Sequence, residues 1–287
     1  MRPLAAALLA LVLAAPARPA PAPALHSGRP GPTLAREDTM RTEVPPVLVS
    51  APRVTLDEIL ARVERGERRR DSLMTDQSYL LTVRIVRLAD GDRPAEVMSE
   101  KVTRVYKKKP DLVRAQVLRD YDAAREKKAH ARVEVRVSAS GGMDEEIVDF
   151  AFRPAARARY RYRILGRELV GDHLVYRIGF EPRSLLDPSE PRGEVWIDTN
   201  DFVIVRQEIT FDHSPAPPLL KDVRRMVVER ANVDGYWVLA RVLLRADATI
   251  PLPQLGRHFD FSIRFDQYAI NRGLPDSLFH APAETRR

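Results

Sequence analysis

The central part of the chain alternates apolar and charged residues in about ten runs between Ser78 and Ile270. Residues 132–137, 159–164 and 258–266 are three of these runs. Successive side chains of a strand point to opposite faces, so each run predicts a strand with one apolar and one polar face. A large sheet that is apolar on one face only has to curl over that face or cover it.

The segments between the runs are short and predict antiparallel neighbours. Asp-Gly pairs at 90–91 and 234–235 are typical of hairpin turns. Gly166 is interpreted as the centre of a tight turn, and 121–130 as either helical or an insertion. The predicted strands are 78–88, 97–107, 112–118, 132–137, 146–152, 159–165, 167–171, 173–180, 193–198, 202–211, 223–232, 236–250 and 258–270.

One helix is predicted ahead of the strands. Thr55 and Glu58 fit a capping box, in which the hydroxyl and the carboxylate satisfy each other's backbone N–H groups. A single apolar stripe follows at helical spacing: Leu56, Ile59, Leu60 and Val63. No second long helix interrupts the runs, which disfavours a parallel α/β fold. The predicted fold class is mainly β: one strongly curved antiparallel sheet, an open half-barrel of about ten strands, with an N-terminal amphipathic helix over its concave face.

The two ends of the chain differ from this domain. Residues 1–24 combine a positive start, an apolar stretch over 4–15 and an Ala-Pro-Ala site ending at Ala24, which predicts a secretory signal peptide. The apolar stretch is shorter than the roughly 20 residues that span a bilayer. Residues 25–53 are rich in Pro, Gly and Arg and predict a disordered tether. We therefore expect a β domain over 54–280, a C-terminal tail over 281–287, and a periplasmic or secreted protein that does not span the membrane after signal cleavage.

Composition excludes several classes of protein. The chain has no cysteine, which rules out disulfides, thiol catalysis and lipid attachment at a cysteine. The formal net charge is +7, but the charges are spread along the strands rather than clustered. Dispersed charge indicates a solvated outer face, so no nucleic-acid partner is expected.

No pattern in the sequence predicts catalysis. The six histidines lack the spacing of a helical zinc motif, and no Gly-x-Ser-x-Gly elbow or dinucleotide fingerprint occurs. The carboxylates at 144–146 and at Asp198 are interpreted as turn residues rather than as a glycosidase pair. The prediction is a protein that is not an enzyme, with no catalytic residue, no metal ligand and no cofactor.

Large apolar side chains on the apolar phase of the runs and on the helix stripe are candidates for lining a cavity. For any one of them ordinary core packing is the first interpretation, and a subset is expected to line the cavity, where tyrosine adds a polar tip to an apolar body. Four arginines lie mid-strand: Arg84, Arg104, Arg206 and Arg241. One or two of them are expected at the rim of the cavity, where they would hold a headgroup by hydrogen bonding. The candidate ligand-binding residues are Ile59, Leu60, Val63, Tyr79, Leu81, Val83, Tyr160, Tyr162, Tyr176, Trp237, Phe259, Phe261 and Phe265.

One motif resembles a known family. The strand Gly-Glu-Val-Trp-Ile-Asp over 193–198, a turn, and the strand over 202–208 resemble the periplasmic lipoprotein-carrier superfamily, the LolA/LolB-like outer-membrane lipoprotein-sorting proteins and related families. Val-Asp-Gly-Tyr-Trp at 233–237 and Phe-Asp-Gln-Tyr at 265–268 agree with it. The resemblance implies an open curved sheet closed by helices over an apolar cavity that binds lipid or the acyl chains of a lipoprotein. No single binding residue of the family is carried over to a position of this chain.

Two function hypotheses follow. The first is a soluble cell-envelope carrier or sensor that binds an acyl chain or a lipoprotein in an apolar cavity, without covalent chemistry, so that its ligand is a lipid or an acylated protein. The alternative is a structural or protein-interaction module of the cell envelope with a filled core, whose edge strands dock an envelope protein.

Overall fold

A computed structural model describes residues 54–89, 94–123, 150–184, 190–215, 220–252 and 256–280, together with the backbone of 11–13 and 133–135. Apart from the strand at 11–13, the predicted signal peptide, tether and C-terminal tail lie outside these residues and stay predictions. Within the described ranges, no helix combines the length and the apolar character needed to cross a bilayer.

The chain forms three helices and twelve strands in the described ranges. The helices are α1 (Leu56–Leu73), α2 (Pro154–Arg157) and α3 (Ser277–His280). The strands are β1 (Leu11–Leu13), β2 (Asp76–Leu88), β3 (Pro94–Lys108), β4 (Leu112–Asp122), β5 (Val133–Val135), β6 (Tyr160–Val170), β7 (His173–Pro182), β8 (Arg192–Asp198), β9 (Ile204–Thr210), β10 (Leu220–Val233), β11 (Tyr236–Leu252) and β12 (Gly256–Ile270).

Ten of these strands build one open antiparallel sheet in the order β4-β3-β2-β12-β11-β10-β9-β8-β7-β6. The chain enters in the middle at β2 and runs outward to the edge strand β4. It then passes to the opposite edge, β6, and returns strand by strand until β12 pairs with β2. A separate two-stranded pair joins β1 to β5. The predicted fold class, one open antiparallel sheet of about ten strands with an N-terminal helix, is confirmed.

Register shifts interrupt many of the strand pairs and account for the curvature. They occur at Val102/Thr103, at Trp196/Ile197 and at Asp266/Ala269, among other places. A bulge adds one residue to one strand, which bends that strand and increases its twist. The sheet therefore curls toward one face, which we call the inner face and which α1 covers.

Three sequence predictions fail locally. Gly166 is not the centre of a turn, because β6 runs unbroken through it and shifts register between Ile164 and Gly166. Residues 150–152, the described end of the predicted strand 146–152, form a turn. The predicted polar segment 121–130 begins within β4, which extends to Asp122. Alternation and glycine content cannot separate a bulge from a turn, because both interrupt the period at one residue.

Helix α1 begins where the capping signal predicts. The Thr55 hydroxyl accepts a hydrogen bond from the Glu58 backbone N–H at 3.3 Å. The helix then continues through the charged stretch as far as Leu73. Ile59, Leu60 and Val63 are buried against the sheet, as the apolar stripe predicts.

Candidate ligand-binding face

Ten of the thirteen predicted cavity residues are buried in one continuous cluster, which is formed by the inner face of the sheet and the apolar side of α1. Two more, Tyr162 and Phe261, are half-buried and pack against that cluster. The last, Trp237, lies elsewhere, in a second cluster described below. The ten buried candidates are Ile59, Leu60, Val63, Tyr79, Leu81, Val83, Tyr160, Tyr176, Phe259 and Phe265.

The aromatic candidates divide into two groups on the inner face. One group comes from β2 and β12, where the Tyr79 ring lies 5.6 Å from Phe265 and 5.1 Å from Tyr268. The other comes from β6, β7 and the turn before α2. There the Tyr160 ring lies 5.9 Å from Phe180, and the Tyr162 ring lies 5.3 Å from Phe152. Tilted and edge-on rings at these separations stabilise one another beyond their burial.

Cationic side chains surround the second aromatic group. Arg157 donates to the Phe152 carbonyl at 3.0 Å and to the Leu60 carbonyl of α1 at 2.6 Å. Arg183 donates to the Tyr160 carbonyl at 2.9 Å. This end of the inner face is therefore apolar inside and lined by arginines at its margin, where Arg157 also pairs with Glu64 at 3.3 Å.

Tyr162 is a candidate whose acidity is shifted by its surroundings. Its hydroxyl donates to the Ala151 carbonyl. Burial raises the pKa of Tyr162 to about 12, and the nearby Arg157, Arg183 and Arg159 only partly oppose that shift. The phenol therefore stays neutral where an exposed tyrosine ionises.

This shift predicts a loss of stability at high pH. The folded state holds the Tyr162 proton up to about pH 12, whereas the unfolded state releases it near 10.0, the ordinary pKa of tyrosine. The stabilisation is therefore fully present below pH 10 and is lost as pH rises toward 12. We expect the free energy of unfolding of the wild type to approach that of Tyr162→Phe over this interval, measured by urea denaturation. A gap between the two proteins that stays constant with pH would contradict the assignment.

A buried ion pair attaches α1 to the middle of the sheet. Glu67 on α1 and Arg230 on β10 are each 7% exposed, and Arg230 Nη1 lies 2.7 Å and 2.9 Å from the two carboxylate oxygens. Glu67 Oε1 also accepts the Ile204 N–H at 2.8 Å, and Arg230 donates to the Ile204 carbonyl at 3.0 Å. The pair thus joins the helix, β9 and β10 through one set of hydrogen bonds.

The same helix touches the β8–β9 turn closely at Gly66. A Cβ atom on Gly66 would lie 2.4 Å from the Asp201 carbonyl oxygen and 2.5 Å from that of Phe202. Real Cβ atoms do not approach a backbone oxygen so closely, so only glycine fits there. A glycine inside a helix ordinarily weakens it, whereas at Gly66 the missing side chain permits a close packing contact.

The outer face carries a second cluster, the tryptophan cluster: Val175, Trp196, Val203, Val205 and Trp237. Trp196 alternates with Val195 and Ile197, which belong to the inner cluster, so its side chain lies on the opposite face. The Trp237 indole N–H donates to Asp201 Oδ2 at 2.9 Å, and the His173 ring centroid lies 4.9 Å from that of Trp237. A cavity of about 390 Å³ adjoins this cluster, with His173, Arg206 and Glu229 on its polar side.

The four mid-strand arginines, of which one or two are expected at the rim, are exposed or half-buried and engage polar partners. Arg206 and Arg241 both bind Glu229, at 2.9 Å and 2.8 Å, and Arg84 lies 3.7 Å from Glu100. Arg104 donates to Gln267 Oε1 at 2.7 Å. Arg230 on β10, by contrast, is enclosed, and alternation alone does not distinguish it from these four.

Gln207 is a second residue that sequence reasoning missed. It is fully buried on β9, and among the described residues neither its amide nitrogen nor its amide oxygen has a hydrogen-bond partner. Strict alternation in the predicted strand 202–211 places Gln207 in phase with Ile209, an apolar position, and this was the available signal. In the described ranges, no group of three or more His, Cys, Asp or Glu side chains is arranged to hold a metal ion.

No family model matches the sequence, and no curated protein matches it. Solved structures with a similar fold include a DUF1329 family protein from Desulfovibrio piger, at 16% identity and a TM-score of 0.41 over 78% of this chain and 96% of that one. An outer membrane lipoprotein-sorting protein domain from Vibrio parahaemolyticus has 14% identity and a TM-score of 0.40 over 77% and 95%. A LolA superfamily protein from Nitrosomonas europaea has 14% identity and a TM-score of 0.29 over 79% and 98%. Similarity at these identities and TM-scores carries no conclusion about the family or the ligand of this chain.

Proposed function

We propose that the protein is a cell-envelope carrier or sensor that binds an acyl chain, or an acylated protein, against the inner face of its sheet. The proposal rests on one observation: a wide apolar face is covered by elements that do not belong to the sheet. A carrier of this kind performs no covalent chemistry, since binding and release are the whole of its activity. The predicted signal peptide supports a periplasmic or secreted location.

The width of the sheet supports this reading. Ten strands spaced about 4.8 Å apart extend over roughly 43 Å along the arc. Helix α1 has 18 residues, so it is about 27 Å long and about 10 Å across. One such helix covers the width of only a few strands. The rest of the inner face has to be covered by the segment around α2, by curvature of the sheet, or by a ligand.

Polar contacts at defined points hold the cover in place. Arg157 ties the segment around α2 to the Leu60 carbonyl, and Glu67 ties α1 to Arg230 and to the Ile204 backbone. Between these points α1 contributes aliphatic side chains, which a hydrocarbon chain can replace without leaving polar groups unpaired. The proposed opening step is a shift of α1 that exchanges Ile59, Leu60 and Val63 for the acyl chain of the ligand.

The arginines around Tyr162 suit the polar end of such a ligand, as hydrogen-bond donors, although Arg157 pairs with Glu64 and Arg159 with Glu190. Arg157, Arg159 and Arg183 act electrostatically on the Tyr162 hydroxyl, so they surround one end of the inner face. An acyl chain lying along the apolar face would place its headgroup or linkage there. This gives the bound chain a direction, with its polar end toward β6 and β7.

Titration with a fluorescent fatty acid tests the proposal. We expect saturable binding that an unlabelled diacylated peptide displaces, because both ligands compete for the same apolar face. The absence of saturable binding by either ligand would refute the carrier function. Binding of the fatty acid that the diacylated peptide leaves undisturbed would refute the acylated-protein ligand.

Tryptophan quenching by a fatty acid brominated at its chain end locates the bound chain. The chain has two tryptophans, and both belong to the tryptophan cluster. A chain on the inner face should quench the wild type weakly. It should quench strongly a Phe261→Trp variant in a Trp196→Phe, Trp237→Phe background, whose single tryptophan lies on the inner face. Strong quenching of the wild type would instead place the ligand in the cavity beside Trp196.

The edge strand β6 favours a second candidate, a protein-interaction module. In the described sheet β6 pairs with β7 on one side only. It exposes apolar side chains that an edge strand normally avoids: Leu169 is 69% exposed, Val170 45% and Ile164 40%. An extended segment of an envelope protein could add to β6 as a further strand and cover these residues. A stoichiometric protein partner in envelope extracts, with no acyl ligand bound, would support this candidate over the carrier.

A further inference from the structure

The edge strand β6 carries an exposed apolar row on the inner side of the sheet. Residues paired across neighbouring strands share a face. Ile164 pairs with Ile178, which belongs to the inner cluster. Arg167 pairs with Tyr176 of the same cluster, and Leu169 follows two positions later. Ile164 and Leu169 therefore lie in one row, and both are exposed.

The alternate row of β6, on the outer face, carries positive charge that the chain does not neutralise. Arg163 pairs in register with Gly179 of β7, which has no side chain to offer it. Arg161 pairs in register with Glu181. Both arginines are exposed, and within the described ranges neither forms an ion pair. A carboxylate for Arg163 therefore has to come from the open side of β6.

The opposite edge strand, β4, is closed by the chain itself. It also exposes apolar side chains, but helix α3 lies against it. Arg119 of β4 binds Glu100 at 3.1 Å, and Arg114 donates to the Leu278 carbonyl of α3 at 2.5 Å. The two edges therefore differ, because β6 combines an open backbone, exposed apolar side chains and uncompensated arginines.

We propose that β6 is a docking edge for an extended protein segment in which carboxylate side chains alternate with large apolar ones. This inference rests on the second candidate of the proposed function and names the chemistry of the partner. Such a segment, added as a further strand, would pair with the open N–H and C=O groups of β6. Its acidic side chains would meet Arg161 and Arg163, and its apolar side chains would meet Ile164 and Leu169.

The open backbone of β6 favours a protein strand over an anionic bilayer. Both would attract the arginines and cover the apolar row. Only a strand supplies partners for the edge N–H and C=O groups, because lipid hydrocarbon offers neither donors nor acceptors. A second copy of β6 would bring one carboxylate, Glu168, which already accepts from the Trp196 indole. Pairing between two copies would therefore leave the arginines uncompensated.

Two short peptides of identical composition test the docking edge. The first alternates aspartate with valine, and the second carries the same residues in a non-alternating order. We expect only the first to bind saturably and to slow hydrogen exchange at the backbone amides between Arg161 and Val170. Added salt should weaken this binding, because the charges are exposed. Equal binding of both peptides would overturn the inference, since charge attraction alone would then account for it.

Substitutions in β6 and a matched arginine control locate the contact. Arg163→Ala should weaken the alternating peptide about threefold and Arg163→Glu about tenfold, because a cross-strand charge pair contributes modestly and its reversal repels. Leu169→Thr should also weaken it, since threonine removes apolar surface and keeps a β-branched side chain. Arg264→Ala removes an exposed charge from β12 and should leave the affinity unchanged. An equal loss in Arg264→Ala, or no loss in Arg163→Glu, would overturn the inference.

The fluorescent fatty acid separates this inference from the acyl-chain proposal. Arg163→Glu should bind the fatty acid as the wild type does, because Arg163 lies in the outer row. Failure of the alternating peptide with normal fatty-acid binding overturns the docking edge and leaves the carrier function standing. Peptide binding without fatty-acid binding does the reverse. If the peptide fails and Arg163→Glu abolishes binding to anionic phospholipid vesicles or self-association, β6 faces a bilayer or a second copy instead.

Discussion

Replacing Glu67 by alanine is expected to lower the free energy of unfolding by about 3–5 kcal/mol. The change leaves the Arg230 guanidinium buried without its carboxylate and the Ile204 N–H without its acceptor. An uncompensated buried charge accounts for most of the loss, because desolvation is then no longer offset by the ion pair. Urea denaturation followed by circular dichroism measures the change.

Two further substitutions separate the charge from the hydrogen bonds at this position. Glu67→Gln keeps an acceptor for the Ile204 N–H, so it should cost less than Glu67→Ala. Arg68→Ala provides a matched control on the same helix. Arg68 pairs with Glu64 at 3.0 Å but is 69% exposed, and such i,i+4 pairs contribute only about 0.3–0.5 kcal/mol. A Glu67→Ala loss as small as the Arg68→Ala loss would show that the buried pair does not hold α1 to the sheet.

Gly66→Ala should destabilise the protein by about 1–3 kcal/mol, although alanine is the better helix former. In an exposed helix interior this substitution gains roughly 1 kcal/mol. Here the added methyl group meets the Asp201 and Phe202 carbonyl oxygens at 2.4 Å and 2.5 Å, so α1 or the β8–β9 turn has to move. Both are backbone atoms, which a side-chain rotation cannot displace.

No such loss is expected at an exposed site of the same helix. Arg69→Ala changes a residue that faces solvent and should stay within about 0.5 kcal/mol of the wild type. Thermal and urea unfolding of the two variants give the comparison. If Gly66→Ala proved as stable as the wild type or more so, α1 would not lie against the turn as the structure has it.

Both predictions concern the attachment of α1, and that attachment matters for the proposed function. A cover that opens for a ligand has to be held strongly enough to protect the apolar face and weakly enough to move. The Glu67–Arg230 pair meets this requirement, because its energy depends on exact placement of two side chains and falls steeply once the helix shifts. The apolar stripe of α1 has no such geometric demand and can be replaced by hydrocarbon.

Much of the fold follows from local patterns. The strand at 78–88 is recognisable because apolar side chains recur at every second position from Tyr79 to Ile85. The helix start is recognisable because Thr55 and Glu58 lie three residues apart before an apolar stripe. Gly166 and the segment 150–152 are not predictable in this way. A bulge and a turn leave the same one-residue break in an alternating run, and only the neighbouring strand decides between them.

The candidate site is predictable in composition but not in its polar details. Ile59, Tyr79 and Phe265 lie on the apolar phase of their elements, and burial on the inner face follows from that phase. Because Trp196 lies between Val195 and Ile197 in the strand, alternation also implies that its side chain points to the outer face. Alternation does not imply that Trp237 belongs to the same outer cluster. Its position depends on the path of the β8–β9 turn and on Asp201, to which the Trp237 indole N–H donates.

The amino-acid sequence determined that this chain forms an antiparallel sheet of about ten strands with one apolar face and an N-terminal helix, because period and capping are properties of adjacent residues. The tertiary structure alone decided that β12 closes on β2, that Glu67 meets Arg230 across 163 positions, and that the Gln207 side chain lies in the core without a hydrogen-bond partner among the described residues. These outcomes depend on which distant strands become neighbours and where a bulge shifts the register. No local spacing along the chain encodes either of them.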